Sequence, residues 1–273
     1  MSHPQLHWLP DPAVLAPIAL LVGIYVWRFR QARREAGGRG AGPRQAAFFA
    51  LGTLALLAAV ATPIDGLGGD YLFSAHMVQH LLIGDIAAVF MLLGLSRVIL
   101  RPVTRRLVAV ERALGPLAHP LTGLVLWIAL MYLWHVPALY DAALEHPVVH
   151  LLEHVSFFAA GVALWWPLVQ PIPMRVRLQG LWPVAYLAAA KASLAVLGLY
   201  LTWSTSVLYD YYEHVPRIWG LSAIEDQNVG GAIMMVEQSL SFVIALAVLF
   251  VASLARSEAE QRRRERLEDA AHA

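Results

Sequence analysis

The stretch Phe73-Ser-Ala-His-Met-Val-Gln-His-Leu-Leu-Ile83 opens a long apolar segment and places His76 and His80 four residues apart. Positions i and i+4 lie on the same face of an α-helix, so both imidazoles can point at one object. The apolar segment is long enough for a helix that crosses a membrane, and polar side chains at such depth generally serve a function. The stretch therefore predicts a membrane helix that presents two histidines near one of its ends.

The composition of the whole chain is that of a membrane protein. Of its 273 residues, 59% are hydrophobic and only 14% are charged, and the mean hydropathy is +0.58. A soluble domain of this length is less apolar. The net charge of +1 gives no indication of a nucleic-acid partner, and the lack of cysteine excludes disulfides and thiolate metal sites. A metal ion in this chain must be held by histidine, methionine or carboxylate ligands.

Seven apolar segments have about the length that a membrane-spanning helix needs, which is roughly 20 residues. They are residues 13–29, 46–61, 74–95, 121–139, 148–169, 181–205 and 230–254. We therefore expect an all-α polytopic membrane protein with seven transmembrane helices. Residues 1–254 would form a single membrane domain, and residues 255–273 a charged cytoplasmic tail.

The positions of the arginines predict the orientation of these helices. All but two of the 20 lysine and arginine residues lie within residues 28–44, 97–112, 175–177 and 256–266, which are alternate connections. Basic residues concentrate on the cytoplasmic side of membrane proteins. We therefore expect the N-terminus outside and the C-terminus in the cytoplasm.

Most of the histidines fall at the outer ends of helices in this topology. His76 and His80 begin the third helix, His135 ends the fourth, and His150 and His154 lie one turn apart in the fifth. These positions predict a ring of imidazoles from three helices at one level of the membrane. Imidazole suits copper, zinc and iron, so we predict a metal site. Two histidines from different helices would also suit a haem, although so many histidines near one surface favour a metal ion.

Carboxylates add to this site and to the membrane interior. Asp226, in the segment Glu225-Asp-Gln-Asn-Val-Gly-Gly231, can be a metal ligand, a partner that orients a histidine, or the N-terminal cap of the seventh helix. Asp85 and Lys191 lie at similar depths in the third and sixth helices, and charges buried in a membrane generally pair. We expect an Asp85–Lys191 ion pair, with Glu237 as a rival partner of the lysine.

Four motifs in chain order extend the pattern over most of the chain. They are His76-Met-Val-Gln-His-Leu-Leu82, Trp134-His-Val-Pro-Ala-Leu-Tyr-Asp-Ala-Ala-Leu144, His150-Leu-Leu-Glu-His154 with Trp165-Trp-Pro167, and Asp226-Gln-Asn-Val-Gly-Gly231. They resemble the signatures of the CtaG family of seven-helix bacterial cytochrome c oxidase assembly factors. The resemblance implies a multi-pass protein of the bacterial plasma membrane that helps to mature a haem–copper oxidase by handling copper at the outer face. It also implies oxidase subunits and a copper donor protein as partners, besides the lipid bilayer.

The resemblance carries six candidate metal ligands onto this chain. They are His76, His80, His135, His150, His154 and Asp226. Copper is the expected metal, and zinc is the alternative.

Two other functional classes compete with copper handling. A seven-helix zinc hydrolase would hold its metal with histidines and use Asp141, Glu153 or Asp226 as acid–base groups. An assembly scaffold would hold no metal at all. We favour an assembly factor that handles copper and is not an enzyme.

Overall fold

The computed structural model describes Trp8 and residues 12–272, without the side chains of residues 256, 259 and 267–272. His3 and His7 lie outside the described residues. About 80% of the chain is helical, and the described residues contain no strand. The predicted all-α class is confirmed.

The helices follow one another with short connections. In chain order they are α1 (Pro12–Ala36), α2 (Pro43–Ala61), α3 (Pro63–Asp70), α4 (Phe73–Leu93), α5 (Thr104–Leu114), α6 (Pro120–Trp134), α7 (Pro137–Glu145), α8 (Pro147–Val169), α9 (Trp182–Trp203), α10 (Tyr211–His214) and α11 (Ala223–His272). Inside α4, the stretch Leu82–Ala87 is a π-helix.

Among the described residues, six helices are long and apolar enough to cross a membrane: α1, α2, α4, α8, α9 and α11. The count rises to seven if α5 and α6, with the turn between them, form one crossing. That pair is bent by 71°. The chain is therefore a polytopic membrane protein with six or seven membrane-crossing helices.

Connections that the hydropathy pattern left without structure contain short helices, among them α3 and α7. The fourth predicted segment, residues 121–139, ends as a helix at Trp134, and α7 begins at Pro137. Val136 is extended because it precedes a proline, which disfavours helical backbone angles. After α2, the short helix α3 begins at Pro63, and the Thr62 hydroxyl accepts a hydrogen bond from the Ile64 amide at 3.3 Å. Proline at the first position and a threonine cap explain where these helices start.

The last helix begins earlier than residue 230, at Ala223, and continues to His272. Ser222 and Glu225 form a capping box at its start. The Ser222 hydroxyl accepts from the Glu225 amide at 3.3 Å, and the Glu225 carboxylate accepts from the Ser222 amide at 2.8 Å. The predicted charged tail is thus helical over its described part.

Helix α4 packs against α2, α3, α8 and α11. It approaches α8 closely at Gly84, where a Cβ atom on Gly161 of α8 would overlap the Gly84 carbonyl oxygen. Small residues allow membrane helices to pack backbone against backbone. This crossing fixes the spacing of α4 and α8 one to two turns away from His80 and His154.

The predicted ion pair between Asp85 of α4 and Lys191 of α9 is present. The two residues are only 1% and 2% exposed. The Trp165 indole N–H donates to Asp85 at 2.7 Å, and the Lys191 ammonium lies 5.3 Å from the centre of the same indole ring. The pair is therefore enclosed by aromatic side chains in the middle of the bundle.

Candidate metal centre

Helices α4 and α8 bring four potential metal ligands together. His76 and His80 come from α4, and Glu153 and His154 from α8. One ligand atom from each lies within 4.8 Å of all the others. It is the one such group in the part of the chain that the structure describes. We refer to these four residues as the histidine–glutamate cluster.

Glu153 occupies the middle of the cluster. Its Oε1 atom lies 3.5 Å from His80 Nε2, and its Oε2 atom lies 3.8 Å from His76 Nε2. The rings of His76 and His80 have their centroids 4.1 Å apart. Glu153 and His76 are both fully buried. A buried carboxylate thus faces two imidazole nitrogens, while His154 at the edge of the cluster is half-buried.

The atoms that could bind a metal have no other partner. The Nε2 atoms of His76, His80 and His154 and both carboxylate oxygens of Glu153 are screened from solvent and accept or donate no hydrogen bond within the described residues. Buried polar atoms without partners are costly and uncommon in native proteins. A metal cation bound by these atoms would satisfy all of them, so the residues fit such an ion.

Two tyrosines orient the imidazole of His76. Its Nδ1 atom lies 2.8 Å from the Tyr140 hydroxyl and 3.2 Å from the Tyr212 hydroxyl. The Tyr212 hydroxyl donates its proton to the Gly68 carbonyl at 2.6 Å, so towards His76 it can only accept. The Tyr140 hydroxyl can either donate to Nδ1 or accept from it, and a proton on Nδ1 would leave the Nε2 lone pair free on the side of Glu153. Such hydrogen bonds fix the tautomer and direction of histidine ligands.

His135 and His150 lie beside the cluster rather than in it. The His135 Nδ1 atom donates to the Met131 carbonyl at 2.6 Å, and its Nε2 atom has no partner among the described residues. The His150 ring has its centroid 4.2 Å from that of His154 and 5.3 Å from that of His76. Both histidines thus present unused nitrogens next to the four clustered residues.

Asp226 holds the start of α4. It is fully buried, and its two carboxylate oxygens accept from the backbone amides of Phe73 at 2.7 Å and Ser74 at 3.1 Å. A carboxylate at a helix N-terminus satisfies free amides and interacts favourably with the helix dipole. Asp226 therefore caps the helix that carries His76 and His80. Its own helix is capped by Ser222 instead.

This geometry predicts the effect of replacing Asp226 with alanine. We expect the variant to lose about 1 kcal/mol of stability, or up to about 2 kcal/mol, because two buried amides lose their acceptor. Thermal unfolding of the purified protein in detergent measures the loss, with the exposed Asp210→Ala as the matched control. The metal content should stay that of the wild type. A metal content that falls while the melting temperature holds would make Asp226 a ligand.

Glu153 was not among the six metal ligands predicted from the motifs. The spacing of residues in α8 could have indicated it. Its buried positions include Glu153, Phe157, Ala160 and Leu164, which repeat at helical intervals and mark the face that points into the bundle. A glutamate on the interior face of a membrane helix indicates a functional site.

The chain is similar to a known protein family and to individual proteins. The sequence model of the family described as cytochrome c oxidase caa3 assembly factor (Caa3_CtaG) matches residues 23–256. The chain is also similar to two mycobacterial proteins. Uncharacterized protein ML1998 of Mycobacterium leprae (strain TN) is 26% identical over 202 residues, which are 66% of this chain and 30% of the relative. Uncharacterized protein MT0111 of Mycobacterium tuberculosis (strain CDC 1551 / Oshkosh) is 26% identical over 204 residues, again 66% of this chain and 30% of the relative.

The chain thus spans about a third of the length of these curated relatives. No solved structure matches it.

Proposed function

The chain belongs to the cytochrome c oxidase caa3 assembly factor family, as its motifs predict, and from that membership we propose that it handles copper for a haem–copper oxidase at the histidine–glutamate cluster. The observation that carries the proposal is the convergence of unpartnered ligand atoms from α4 and α8. Copper is a cargo in this function, since an assembly factor must release what it binds.

The arrangement of histidines along α8 supports a cargo role. His146 is exposed, His150 and His154 are half-buried, and the three follow one another at intervals of one turn. With His150 and His135 next to the cluster, an incoming or outgoing ion meets a nitrogen ligand at each step. Delivery requires ligand exchange, and neighbouring unused imidazoles allow it without a fully solvated intermediate.

The donor atoms are consistent with copper and also with zinc. Imidazole nitrogens suit both metals, and a carboxylate is a harder ligand than the thioethers that favour Cu(I). Met131 packs beside Gly84 and Trp127 in the apolar core, so the ligand set that we propose consists of nitrogen and oxygen atoms.

We further propose seven crossings of the bacterial plasma membrane, with α5 and α6 together forming the fourth. The arginine-rich connections support a cytoplasmic C-terminus and an outer N-terminus. In this orientation the histidine–glutamate cluster lies in the outer part of the bilayer, at the ends of α4 and α8. Oxidase subunits and a copper donor protein on that side of the membrane are the proposed partners.

Elemental analysis of the purified full chain tests the copper proposal. The double variant His76→Ala/His80→Ala removes two of the four cluster residues, and we expect it to lose bound copper by at least about tenfold, because loss of even supporting interactions weakens metal sites by 10–100-fold. The matched control is His214→Ala, whose side chain is 73% exposed. Oxidase activity in cells that carry each variant gives the second readout.

Each alternative function predicts a different result of this experiment. Full copper occupancy with normal oxidase activity in the double variant would contradict the proposal. Zinc that is lost in the double variant would favour a hydrolase, in which Glu153 has the position of an acid–base group. A wild-type protein without metal that still supports oxidase assembly would favour a scaffold.

A further inference from the structure

A second group of charged side chains lies deeper in the bundle than the histidine–glutamate cluster: Asp85 and Lys191 are buried, and Glu237 is half-buried. Asp85 of α4 is paired with Lys191 of α9, and the Glu237 carboxyl of α11 interacts electrostatically with both of them. Three membrane-crossing helices thus each contribute one ionisable side chain. Asp85 lies more than one helical turn beyond His80, so this carboxyl group is separate from the candidate metal ligands.

The charges of this group do not balance when all three side chains are ionised. Two carboxylates and one ammonium leave one negative charge in the membrane interior. The neighbouring side chains are the neutral Trp127, Trp165, Gln238 and Ser241, and no further charged group faces the three residues within the described part of the chain. An uncompensated buried charge costs several kcal/mol. One bound proton removes that charge.

The hydrogen bonds around Glu237 also indicate one bound proton. The Gln238 amide nitrogen donates to one oxygen of Glu237. The other Glu237 oxygen, Oε1, and the Gln238 carbonyl oxygen, Oε1, are both screened from solvent and have no partner among the described residues. Gln238 is fully buried. Two neighbouring buried acceptors without a donor are costly, and a proton on Glu237 Oε1 would turn one of them into a donor.

We propose that Asp85 and Glu237 form a proton-binding site in the membrane interior, in which Glu237 carries one exchangeable proton and Lys191 balances the charge of Asp85. Two carboxyl groups in one site share a proton because like charges at contact distance do not both persist. A cavity of about 190 Å³ lies next to this group and is lined by Lys191 and Gln238. The π-helical stretch Leu82–Ala87 includes Asp85, and such interruptions of a helix are frequent at functional sites.

Infrared difference spectroscopy of the purified full chain in lipid nanodiscs tests this proposal. A protonated carboxyl group has a carbonyl stretching band that is separate from the carboxylate bands, and the band shifts in D₂O if the proton exchanges. We expect the wild type to show this band at neutral pH and Glu237→Gln to lose it. Glu213→Gln, which changes an exposed glutamate, is the matched control, and Glu153→Gln separates any contribution of the histidine–glutamate cluster.

A second variant distinguishes a shared proton from a Glu237 that is protonated by burial alone. In Asp85→Asn, one carboxylate and one ammonium remain, so Glu237 should ionise against Lys191 and the band should disappear. A band that persists in Asp85→Asn would overturn the sharing, and a band that persists in Glu237→Gln would overturn the site. No band in the wild type, with sodium ions raising the melting temperature of the wild type but not of Glu237→Gln, would show a metal cation in place of the proton. These readouts do not depend on bound copper.

Discussion

Gly161→Ala is expected to destabilise the bundle strongly, by about 3 kcal/mol or more. The added methyl group would overlap the carbonyl oxygen of Gly84 across the crossing of α4 and α8. Overpacking in a well-packed core costs about 1–3 kcal/mol even when flexible side chains can move aside. Here the obstacle is backbone, so one helix must shift. The melting temperature in detergent measures the loss, and the yield of monodisperse protein gives a second measure.

The matched control for this substitution is Gly23→Ala. Gly23 also lies inside a membrane-crossing helix, α1, but a Cβ atom there meets nothing within 4 Å. Alanine has a better helix propensity than glycine, so this variant should be as stable as the wild type or slightly more stable. Equal melting temperatures for Gly161→Ala and Gly23→Ala would show that α4 and α8 do not approach so closely.

Lys191→Met is the second substitution with a large expected effect. It leaves Asp85 buried without its cation, and removal of one partner of a buried ion pair generally costs about 3–5 kcal/mol. The double variant Asp85→Leu/Lys191→Met removes both charges and should be clearly more stable than Lys191→Met alone. Thermal unfolding of the two variants side by side measures the order. The opposite order would show that the pair contributes little and that Lys191 serves another partner.

Among the described residues, six of the seven predicted segments are helices long and apolar enough to cross a membrane, and length and hydropathy were sufficient to predict them. The Asp85–Lys191 pair could be predicted as well, since only a few charged residues lie at that depth and each needs a partner. The short helices α3 and α7 were not predicted because they lie in segments too short to cross a membrane. Their start signals are local, and proline at the first helical position, with the Thr62 cap of α3, would have indicated them.

Residue spacing in the sequence predicts only part of the candidate site. The i, i+4 pairs on α4 and α8 do bring histidines from both helices to one place, because each pair is set by the pitch of a single helix. The role of Asp226 depends on a hydrogen bond to Phe73, which is 153 residues away along the chain, and no spacing rule reaches that far. The Ser222–Glu225 capping box, in contrast, is a local pattern that already excludes Asp226 as the cap of its own helix.

The bend between α5 and α6 is a feature of the fold that hydropathy does not predict. The number of crossings depends on it. Gly115, between the two helices, has a positive φ of 53°, a conformation that glycine adopts without strain. Gly115 begins a short 3-10 turn, Gly115–Ala118, and the 71° change of direction comes between Ala118 and Pro120. This turn determines whether α5 lies along the membrane surface or forms part of a crossing. A hydropathy pattern does not predict the direction of a turn.

The capping of α4 by Asp226 also connects the start of α11 to the helix that carries His76 and His80. Helix α10 contacts the same end of the protein, since the Tyr212 hydroxyl contacts His76 of α4 and the Tyr211 hydroxyl donates to the Gly69 carbonyl of α3 at 2.8 Å. The segment between α9 and α11 is therefore held against α3 and α4 by α10, and Asp226, just after the segment, holds α4 from the start of α11. In the proposed copper-handling function, a partner that binds this segment would change the affinity for copper, and copper would change the affinity for the partner by the same factor. Such a partner would influence copper release without contacting the ion.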